Sequence, residues 1–282
     1  MNIVLLGSQG QVGREVVELG YKYNLNVIGF SHDDVDIKDI NSIKNIVCNC
    51  DLLINSAAYT NVDKAEQEAA LAYETNAIGA KNIASFGIPL IQLSTDYVFD
   101  GTNTKPYVET DLTNPISEYG NTKLAGEKFI QSINPRHIIL RTSWVFGKYG
   151  SNFVKTILRL SKELKKIKVV DDQYGGPTSS KSIAEALLVI AIHIKDSNFN
   201  NWGIYNFSGS PNVSWYQFAE KIIQINGLSV PLEPIKSRDF RALASRPANS
   251  MLNCEKIKKV FGISQSNWFN ELDNILMKEN NL

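Results

Sequence analysis

Short apolar runs alternate with amphipathic segments along the first half of the chain. Each run is apolar at successive positions, as in strands buried on both faces of a helix-covered parallel sheet. The intervening segments have a helical period and begin near Val12, Ser42, Lys64 and Ser117. The alternation predicts a doubly wound α/β sheet with right-handed crossovers. Its predicted strands are NIVLLG (2–7), NVIGF (26–30), DLLINSA (51–57), PLIQLST (89–95) and HIILRTS (137–143).

The pattern changes beyond Trp144, where longer loops separate the predicted elements. We therefore divide the chain into a sheet domain at 1–143, joined by part of 180–208, and a smaller α/β lobe at 144–282. The predicted elements of the second half are a helix at 153–165, a strand KVVDDQ (168–173), a helix at 183–194, a strand IYNFSG (204–209), a helix SWYQFAEKIIQI (214–225) and an irregular segment SRDFRALASRPANSMLN (237–253) in a loop-rich end.

Composition is that of an ordinary globular protein. Of the 282 residues, 43% are apolar and 21% are charged. Lys plus Arg and Asp plus Glu number 29 each, so no basic field attracts nucleic acid or anionic lipid. The start MNIVLLGSQG lacks the basic region of a signal peptide. The apolar segment Ile183–Ile194 is shorter than the roughly 18 residues of a membrane helix. We expect a cytoplasmic protein without a membrane or nucleic-acid partner.

The cysteines and histidines do not predict a metal centre. Cys48, Cys50 and Cys254 are too few for a disulfide framework and match no zinc spacing. The CNC pair is consistent with packing at the end of a helix, although a redox or metal role is the alternative. Three scattered histidines offer no basis for a histidine metal site.

A glycine-rich loop follows the first predicted strand. GSQGQVGRE places Gly7, Gly10 and Gly13 in the spacing G-x-x-G-x-x-G at the start of a helix. Glycine allows the tight turn, the close approach of a pyrophosphate and the packing of helix on strand, while the helix N-terminus offers free N–H groups. The loop predicts a dinucleotide site in a Rossmann sheet.

The end of the second strand bears on the choice of dinucleotide. An acidic residue there binds the adenosine 2′-hydroxyl and repels a 2′-phosphate. Here Ser31 and His32 come first, and acids begin only at Asp33. Ser31 and His32 are potential donors to a phosphate, which favours NADP(H). NAD(H) stays open because no arginine is present and Asp33 is close.

The segment ISEYGNTKLAGEK places Tyr119 and Lys123 four residues apart, on one face of a helix. A phenol, with an ordinary pKa near 10, is a poor proton relay unless its anion is stabilised. A lysine ammonium one turn away provides that stabilisation and can hold a cofactor ribose. The fourth strand ends in LSTDYVFDG, where the Thr95 hydroxyl is suited to fixing a substrate carbonyl beside Tyr119.

The glycine spacing, the strand-end threonine and Y-x-x-x-K together resemble the extended short-chain dehydrogenase/reductase superfamily. Six further motifs resemble its dTDP-4-dehydrorhamnose reductase family, in the family's order from Met1 to about Gly262. These motifs are NSAAYTNVDKAE, LSTDYVFDG, EYGNTKLAGE, RTSWVFG, DDQYGGPT and SRPANSMLN.

The resemblance implies a role for each matching position. Tyr119 would protonate the C4 oxygen of a keto sugar as hydride arrives, Lys123 would lower the phenol pKa and bind the nicotinamide ribose, and Thr95 would orient the carbonyl. Other positions implied to contact the cofactor are Gly7, Gly10, Gln11, Val12, Gly13, Asp36, Ile37, Ala57, Ala58 and Tyr59. Positions implied to lie near the substrate are Val62, Tyr97, Trp144, Asn152 and Arg246, the last as a bidentate partner of the diphosphate.

Some of these residues have plainer interpretations. Trp144 could be a core aromatic residue, and Tyr97 could simply close the turn after the strand. Asp63 and Glu66 share a helical face and are interpreted as capping or solvated residues rather than an acid–base pair. Relatives that dimerise around Mg²⁺ use glutamates, and Glu15 matches one of those positions. The resemblance therefore implies a homodimer with a structural Mg²⁺ as an option.

The function implied is NADPH-dependent reduction of the C4 ketone of dTDP-4-dehydro-L-rhamnose, the final step of dTDP-L-rhamnose synthesis for cell-surface polysaccharide. Two alternatives stay open. One is a reductase, epimerase or dehydratase of another sugar nucleotide, although dehydratase relatives carry a glutamate where this chain has Tyr97. The other is a non-catalytic, nucleotide-binding regulatory subunit.

Overall fold

A parallel sheet runs through the centre of the computed structural model, which describes residues 1–279 apart from the side chains of 277–279. Within these residues the sheet has six strands in the order β10-β5-β4-β3-β1-β2, and all neighbours run parallel. Because β2 and β3 lie on opposite sides of β1, the topology opens a crevice at the carboxyl end of β1. The strands are β1 (Asn2–Leu6), β2 (Asn26–Phe30), β3 (Leu52–Asn55), β4 (Leu90–Thr95), β5 (His137–Thr142) and β10 (Gly203–Asn206).

Helices cover both faces of the sheet, as the apolar runs predict. Alternation along β1 sends Ile3 and Leu5 to one face and Val4 and Leu6 to the other. The first pair packs in a core with α1 and α8, and the second packs in a core with α2, α5 and α6. The covering helices are α1 (Gln11–Gly20), α2 (Ile40–Lys44), α3 (Val62–Ala65), α4 (Ala69–Tyr73), α5 (Gly79–Ala84), α6 (Glu118–Ile133) and α8 (Ser180–Ile194), with a π-helical turn Glu74–Ile78 between α4 and α5.

The prediction of a buried strand is wrong for β2. This strand pairs only with β1 and forms one edge of the sheet. Its side chains are exposed or half-buried, and Ile28 is 46% exposed. The apolar run alone does not distinguish an edge strand from a central one, because both fit a pleated surface.

The C-terminal lobe has a separate apolar core. Trp144, Phe146, Phe218 and Trp268 meet there, and the Trp268 indole donates to the Pro211 carbonyl over 2.7 Å. The lobe contains α7 (Phe153–Glu163), α9 (Trp215–Ile225) and α11 (Trp268–Glu279), with the short strand pairs β6 (Val145–Phe146) with β9 (Thr178–Ser179), β7 (Ile167–Val170) with β12 (Leu232–Ile235), and β8 (Tyr174–Gly175) with β11 (Val213–Ser214).

Two helices near the C-terminus lie where the sequence interpretation expects loops. They are α10 (Glu255–Phe261), which packs against the main sheet, and α11, which packs in the lobe. The predicted strand at 204–209 contributes β10 to the main sheet. The division of the chain at residue 143 stays a prediction.

Candidate active site

The glycine loop lies at the carboxyl end of β1 and packs closely against the backbone that follows β3. Gly7 has φ +81°, and a Cβ there would lie 2.6 Å from the backbone nitrogen of Ala57. A Cβ on Gly13 would lie 2.2 Å from the Gly7 carbonyl oxygen. Gly10 caps α1 without a side-chain hydrogen bond, so the first N–H groups of α1 face the loop. This geometry fits a dinucleotide pyrophosphate.

Ser31 and His32, which follow β2, lie in different environments, since Ser31 is buried in a turn and His32 is exposed. The Ser31 hydroxyl is buried and donates to the Asp34 carboxylate over 2.6 Å. It is therefore engaged within its own turn, and its role toward a cofactor stays a prediction. His32 is 85% exposed and lies 3.2 Å from Asp33.

The other predicted cofactor positions lie in the loops after β2 and β3 and at the start of α1. Ile37 is buried beneath α5, and Asp36 accepts the backbone N–H of Lys38. Backbone N–H groups of the segment after β3 are held by side-chain oxygens, that of Ala57 by Asn55 and that of Tyr59 by Asn76, at 3.0 and 2.9 Å. Gln11, Val12 and Ala58 are the remaining members of the predicted set, Gln11 and Val12 at the start of α1 and Ala58 between Ala57 and Tyr59.

A close approach of α6 to the end of β4 brings Tyr119 to its neighbours. Ser117 caps α6 by accepting the N–H of Gly120 over 3.2 Å. A Cβ on Gly120 would lie 2.3 Å from the Tyr97 carbonyl oxygen, so only glycine permits this contact. As a result, the Tyr119 and Tyr97 rings meet edge to face at 5.6 Å beside the end of β4.

The polar groups at the end of β4 lie in a buried environment that disfavours negative charge. Burial raises the pKa of Tyr119 to about 12 and that of Asp96 to about 7, and it also raises the pKa of Tyr97. Thr95 donates its hydroxyl proton to Asp96 over 3.0 Å. Among the described residues, the second Asp96 carboxylate oxygen is buried without a hydrogen-bond partner. Both phenols are thereby kept protonated at neutral pH.

Lys123 has a different environment from the one that the sequence interpretation expects. Its ammonium is buried and donates to the Leu93 carbonyl over 2.7 Å. Burial lowers the pKa of Lys123 to about 8, and the Glu127 carboxylate partly offsets this. The groups that shift the Tyr119 pKa are its burial, Thr95 and Asp96, and the net shift is upward rather than downward.

Lys123 should make stability depend on pH in a defined window. Between about pH 8 and 10.5 the unfolded chain holds a proton that the folded chain has released, so stability rises with pH there. We expect the unfolding free energy of the wild type, relative to Lys123→Met, to rise by about 1.4 kcal/mol per pH unit in that window and to be flat below it. Urea denaturation measures this. Exposed Lys258→Met should show no such slope, and equal slopes would contradict the prediction.

A buried ion pair lies one turn beyond Lys123 on α6. Glu127 accepts two hydrogen bonds from Arg141 on β5, at 3.0 and 2.7 Å, and one from Ser94 at 2.5 Å. Both charged side chains are almost fully buried. Tyr119, Lys123 and Glu127 thus lie along one face of α6 at spacings of four residues, and Arg141 holds the Glu127 carboxylate in place.

The predicted substrate residues lie on several different elements. Trp144 has φ +48°, stacks on Trp215 at 3.5 Å and donates its indole N–H to Ser250 over 3.1 Å. It therefore belongs to the lobe core, and its place in the substrate site stays a prediction. Asn152 caps α7 and also donates to Gln11 over 3.0 Å, which joins a predicted substrate residue to the glycine loop. Val62 is the first residue of α3.

Arg246 is held by a carboxylate that the sequence interpretation places on a solvated face. Asp63 receives both Arg246 amino groups, at 3.2 and 2.7 Å. The interpretation of Asp63 as a capping or solvated residue is therefore wrong, whereas Glu66 accepts the N–H of Glu118 and caps that neighbouring helix end. No local signal reveals the Asp63–Arg246 pair, since 183 residues separate its members.

Two other expectations gain no support. Within residues 1–279, side chains that could bind a metal do not form a group of three or more. Glu15 is buried beside Lys148, 3.8 Å away, so the predicted Mg²⁺ position faces a lysine. The homodimer stays a prediction.

None of the helices in the described range is long and apolar enough to cross a membrane.

Comparisons with known proteins identify the family. The family model described as RmlD substrate binding domain matches residues 1–281. A dTDP-4-dehydrorhamnose reductase from Aggregatibacter actinomycetemcomitans is 43% identical, over 97% of both chains.

Solved structures agree with this result. A dTDP-4-dehydrorhamnose reductase from Clostridium acetobutylicum has a TM-score of 0.93 at 36% identity, covering 99% of this chain and all of its own. One from Bacillus anthracis, in complex with NADP, has a TM-score of 0.90 at 35% identity, covering 98% of this chain and 99% of its own. These likenesses confirm both the doubly wound fold and the resemblance, and the chain belongs to the dTDP-4-dehydrorhamnose reductase family.

Proposed function

We propose that this protein reduces the C4 ketone of dTDP-4-dehydro-L-rhamnose to dTDP-L-rhamnose with NADPH, and that Tyr119 is the general acid. The observation that carries the proposal is the close packing of α6 on the carboxyl end of β4, which brings the Tyr119 ring edge to face with Tyr97, two residues after Thr95. Family membership supports the substrate, because relatives over nearly their whole length bear the name of this reductase. NADP in the Bacillus anthracis relative supports the cofactor.

The side chains of this protein provide the proton and the orientation. Bound NADPH would supply the hydride that C4 receives. The Tyr119 pKa of about 12 keeps the phenol protonated until charge develops on the C4 oxygen, which then takes that proton. Thr95 holds the same oxygen by a hydrogen bond, once its hydroxyl turns from Asp96. Lys123 holds the ribose and supplies positive charge near the phenolate that remains.

The test is a direct assay of purified protein. We expect NADPH absorbance to fall on addition of enzymatically prepared dTDP-4-dehydro-L-rhamnose, and dTDP-L-rhamnose to form in equal amount. dTDP-glucose and UDP-galactose serve as probes of dehydratase and epimerase activity. Conversion of either one by a firmly held NAD⁺, with no net NADPH oxidation on the keto sugar, would overturn the proposal. We place the reaction last in dTDP-L-rhamnose synthesis for polysaccharide.

The fold places an arginine near the end of β2, where the sequence interpretation found none. A cavity of about 320 Å³ is lined there by Ser8, Gln9 and Arg14 of the glycine loop and α1, and by Gly29 of β2. Arg14 donates through Nε to the Gln9 carbonyl and lies over the Tyr149 ring. Its terminal amino groups are suited to a 2′-phosphate, since arginine binds phosphate in a bidentate manner.

Arg14→Gln should therefore change cofactor preference. We expect its Kd for NADPH to rise by about tenfold, as for the loss of one charge-assisted hydrogen bond, with the Kd for NADH unchanged. Fluorescence titration of both nucleotides measures this without turnover. Arg159→Gln, on exposed α7, is the matched control. Equal weakening of both nucleotides, or of neither, would contradict the assignment.

A further inference from the structure

Asp63 collects hydrogen bonds from a distant part of the chain. Its carboxylate accepts the backbone N–H groups of Leu243 and Ala244, at 3.1 and 3.0 Å, in addition to the Arg246 guanidinium. These interactions lower the pKa of Asp63, with the Arg246 hydrogen bond as the largest cause. We call Asp63, Leu243, Ala244 and Arg246 the clamp. It fixes the 243–246 segment on α3 through one carboxylate.

The clamp continues into the active site through Tyr97. Burial raises the Tyr97 pKa and the Arg246 guanidinium partly offsets this, so the two groups interact electrostatically; Arg246 also donates to the Ala244 carbonyl over 3.2 Å. The Tyr97 ring in turn meets Tyr119 edge to face at 5.6 Å. Asp63 on α3 thus holds the guanidinium that acts electrostatically on Tyr97, and the Tyr97 ring packs against the general acid proposed above.

We propose that Asp63 is a positioning residue, which fixes the Arg246 guanidinium and, through it, the Tyr97 phenol before a sugar nucleotide binds. The inference rests on the proposed function. Arg246 is only 20% exposed, and both of its amino groups are engaged by Asp63. Such a guanidinium is oriented in advance, so a diphosphate or sugar meeting it loses little conformational entropy. Asparagine cannot reproduce this, because its amide presents one acceptor instead of two.

The glycine loop does not take part in these contacts, so effects on the two ligands should separate. Asp63→Asn should raise KM for the keto sugar nucleotide and Kd for dTDP by about tenfold, which is the loss of one charge-assisted hydrogen bond. It should lower kcat severalfold through Tyr97, while the Kd for NADPH stays unchanged. Because Asp63 is 39% exposed, the variant should still fold.

The experiment combines steady-state kinetics, dTDP and NADPH titrations, and hydrogen exchange at Leu243 and Ala244. Faster exchange in Asp63→Asn reports that the clamp has opened. Asp63→Glu, which keeps two acceptors, should recover part of the dTDP affinity. Asp196→Asn is the matched control, because that aspartate also accepts a backbone N–H, from Asn198, in an exposed turn.

Two outcomes would overturn the proposal. One is faster exchange with dTDP affinity and kinetics within twofold of the wild type, which would make the clamp purely structural. The other is an equal loss of affinity for NADPH and dTDP, which would indicate general disruption. A different result is that the wild type binds dTDP more tightly than Asp63→Asn does and yet fails to oxidise NADPH. That result would contradict the proposed function and leave the positioning role supported.

Discussion

Tyr119→Phe is expected to lower kcat for reduction of the keto sugar nucleotide by about 100-fold or more, which is the usual contribution of a general acid. The phenol lies where α6 packs on the end of β4, burial raises its pKa to about 12, and phenylalanine keeps the ring while removing the proton. Because the ring also packs against Tyr97, the substitution preserves the shape of the site. Stopped-flow and steady-state absorbance of NADPH measure the loss.

Binding measurements separate chemistry from positioning. The Kd for NADPH and for dTDP should stay within about threefold of the wild type, since an uncharged hydrogen bond contributes little to binding. Tyr21→Phe is the matched control, because that tyrosine is 71% exposed and lies in the turn that follows α1. If Tyr119→Phe retained wild-type kcat, Tyr119 could not be the acid.

Glu127→Gln should cause the largest loss of stability among the single substitutions considered. It would leave the buried Arg141 without its carboxylate, and removal of one partner of a buried pair costs about 3–5 kcal/mol of unfolding free energy. Glutamine keeps one acceptor oxygen in place of two, so at least one of the hydrogen bonds that Glu127 accepts from Ser94 and Arg141 would be lost. Urea denaturation should show a lower midpoint with an unchanged slope.

The chain contains a matched control for this prediction. Arg159 and Glu163 are also 2.7 Å apart, but they are more than half exposed on α7. Glu163→Gln should therefore change the unfolding free energy by about 0.5 kcal/mol or less. Similar losses for the two variants would show that burial does not control the strength of these pairs.

The sheet could be predicted because its signal is local. Runs such as 2–7 and 137–143 are apolar at successive positions, and β1 and β5 lie within these ranges. The exposure of β2 could not be predicted, because it depends on strand order rather than on strand composition. Helix α11 was missed although Trp268, Leu272 and Leu276, which form its buried face, recur at the local spacing of a helix.

In the candidate site too, local features could be predicted and contacts between distant elements could not. Gly7, Gly13 and the Tyr119–Lys123 pair follow from short spacings, and the structure brings them to the same end of the sheet. Asp63–Arg246 and Glu127–Arg141 join separate elements, and their spacing carries no periodic signal.

The four-residue spacing of Tyr119 and Lys123 also does not predict the environment of the Lys123 ammonium. Its ammonium is directed to the Leu93 carbonyl, and burial lowers its pKa. The expected electrostatic lowering of the Tyr119 pKa is therefore replaced by a raised value that keeps the acid protonated.

The most direct test of the central claim follows the hydrogen that C4 of the sugar acquires. The protein would be incubated with dTDP-4-dehydro-L-rhamnose and NADPH carrying deuterium at the transferable position of nicotinamide C4, and the product examined by mass spectrometry and NMR. The account predicts dTDP-L-rhamnose with one deuterium at C4, formed in equal amount to the NADP⁺ produced. A product without that deuterium, or no product while NADPH remains bound and unoxidised, would contradict it.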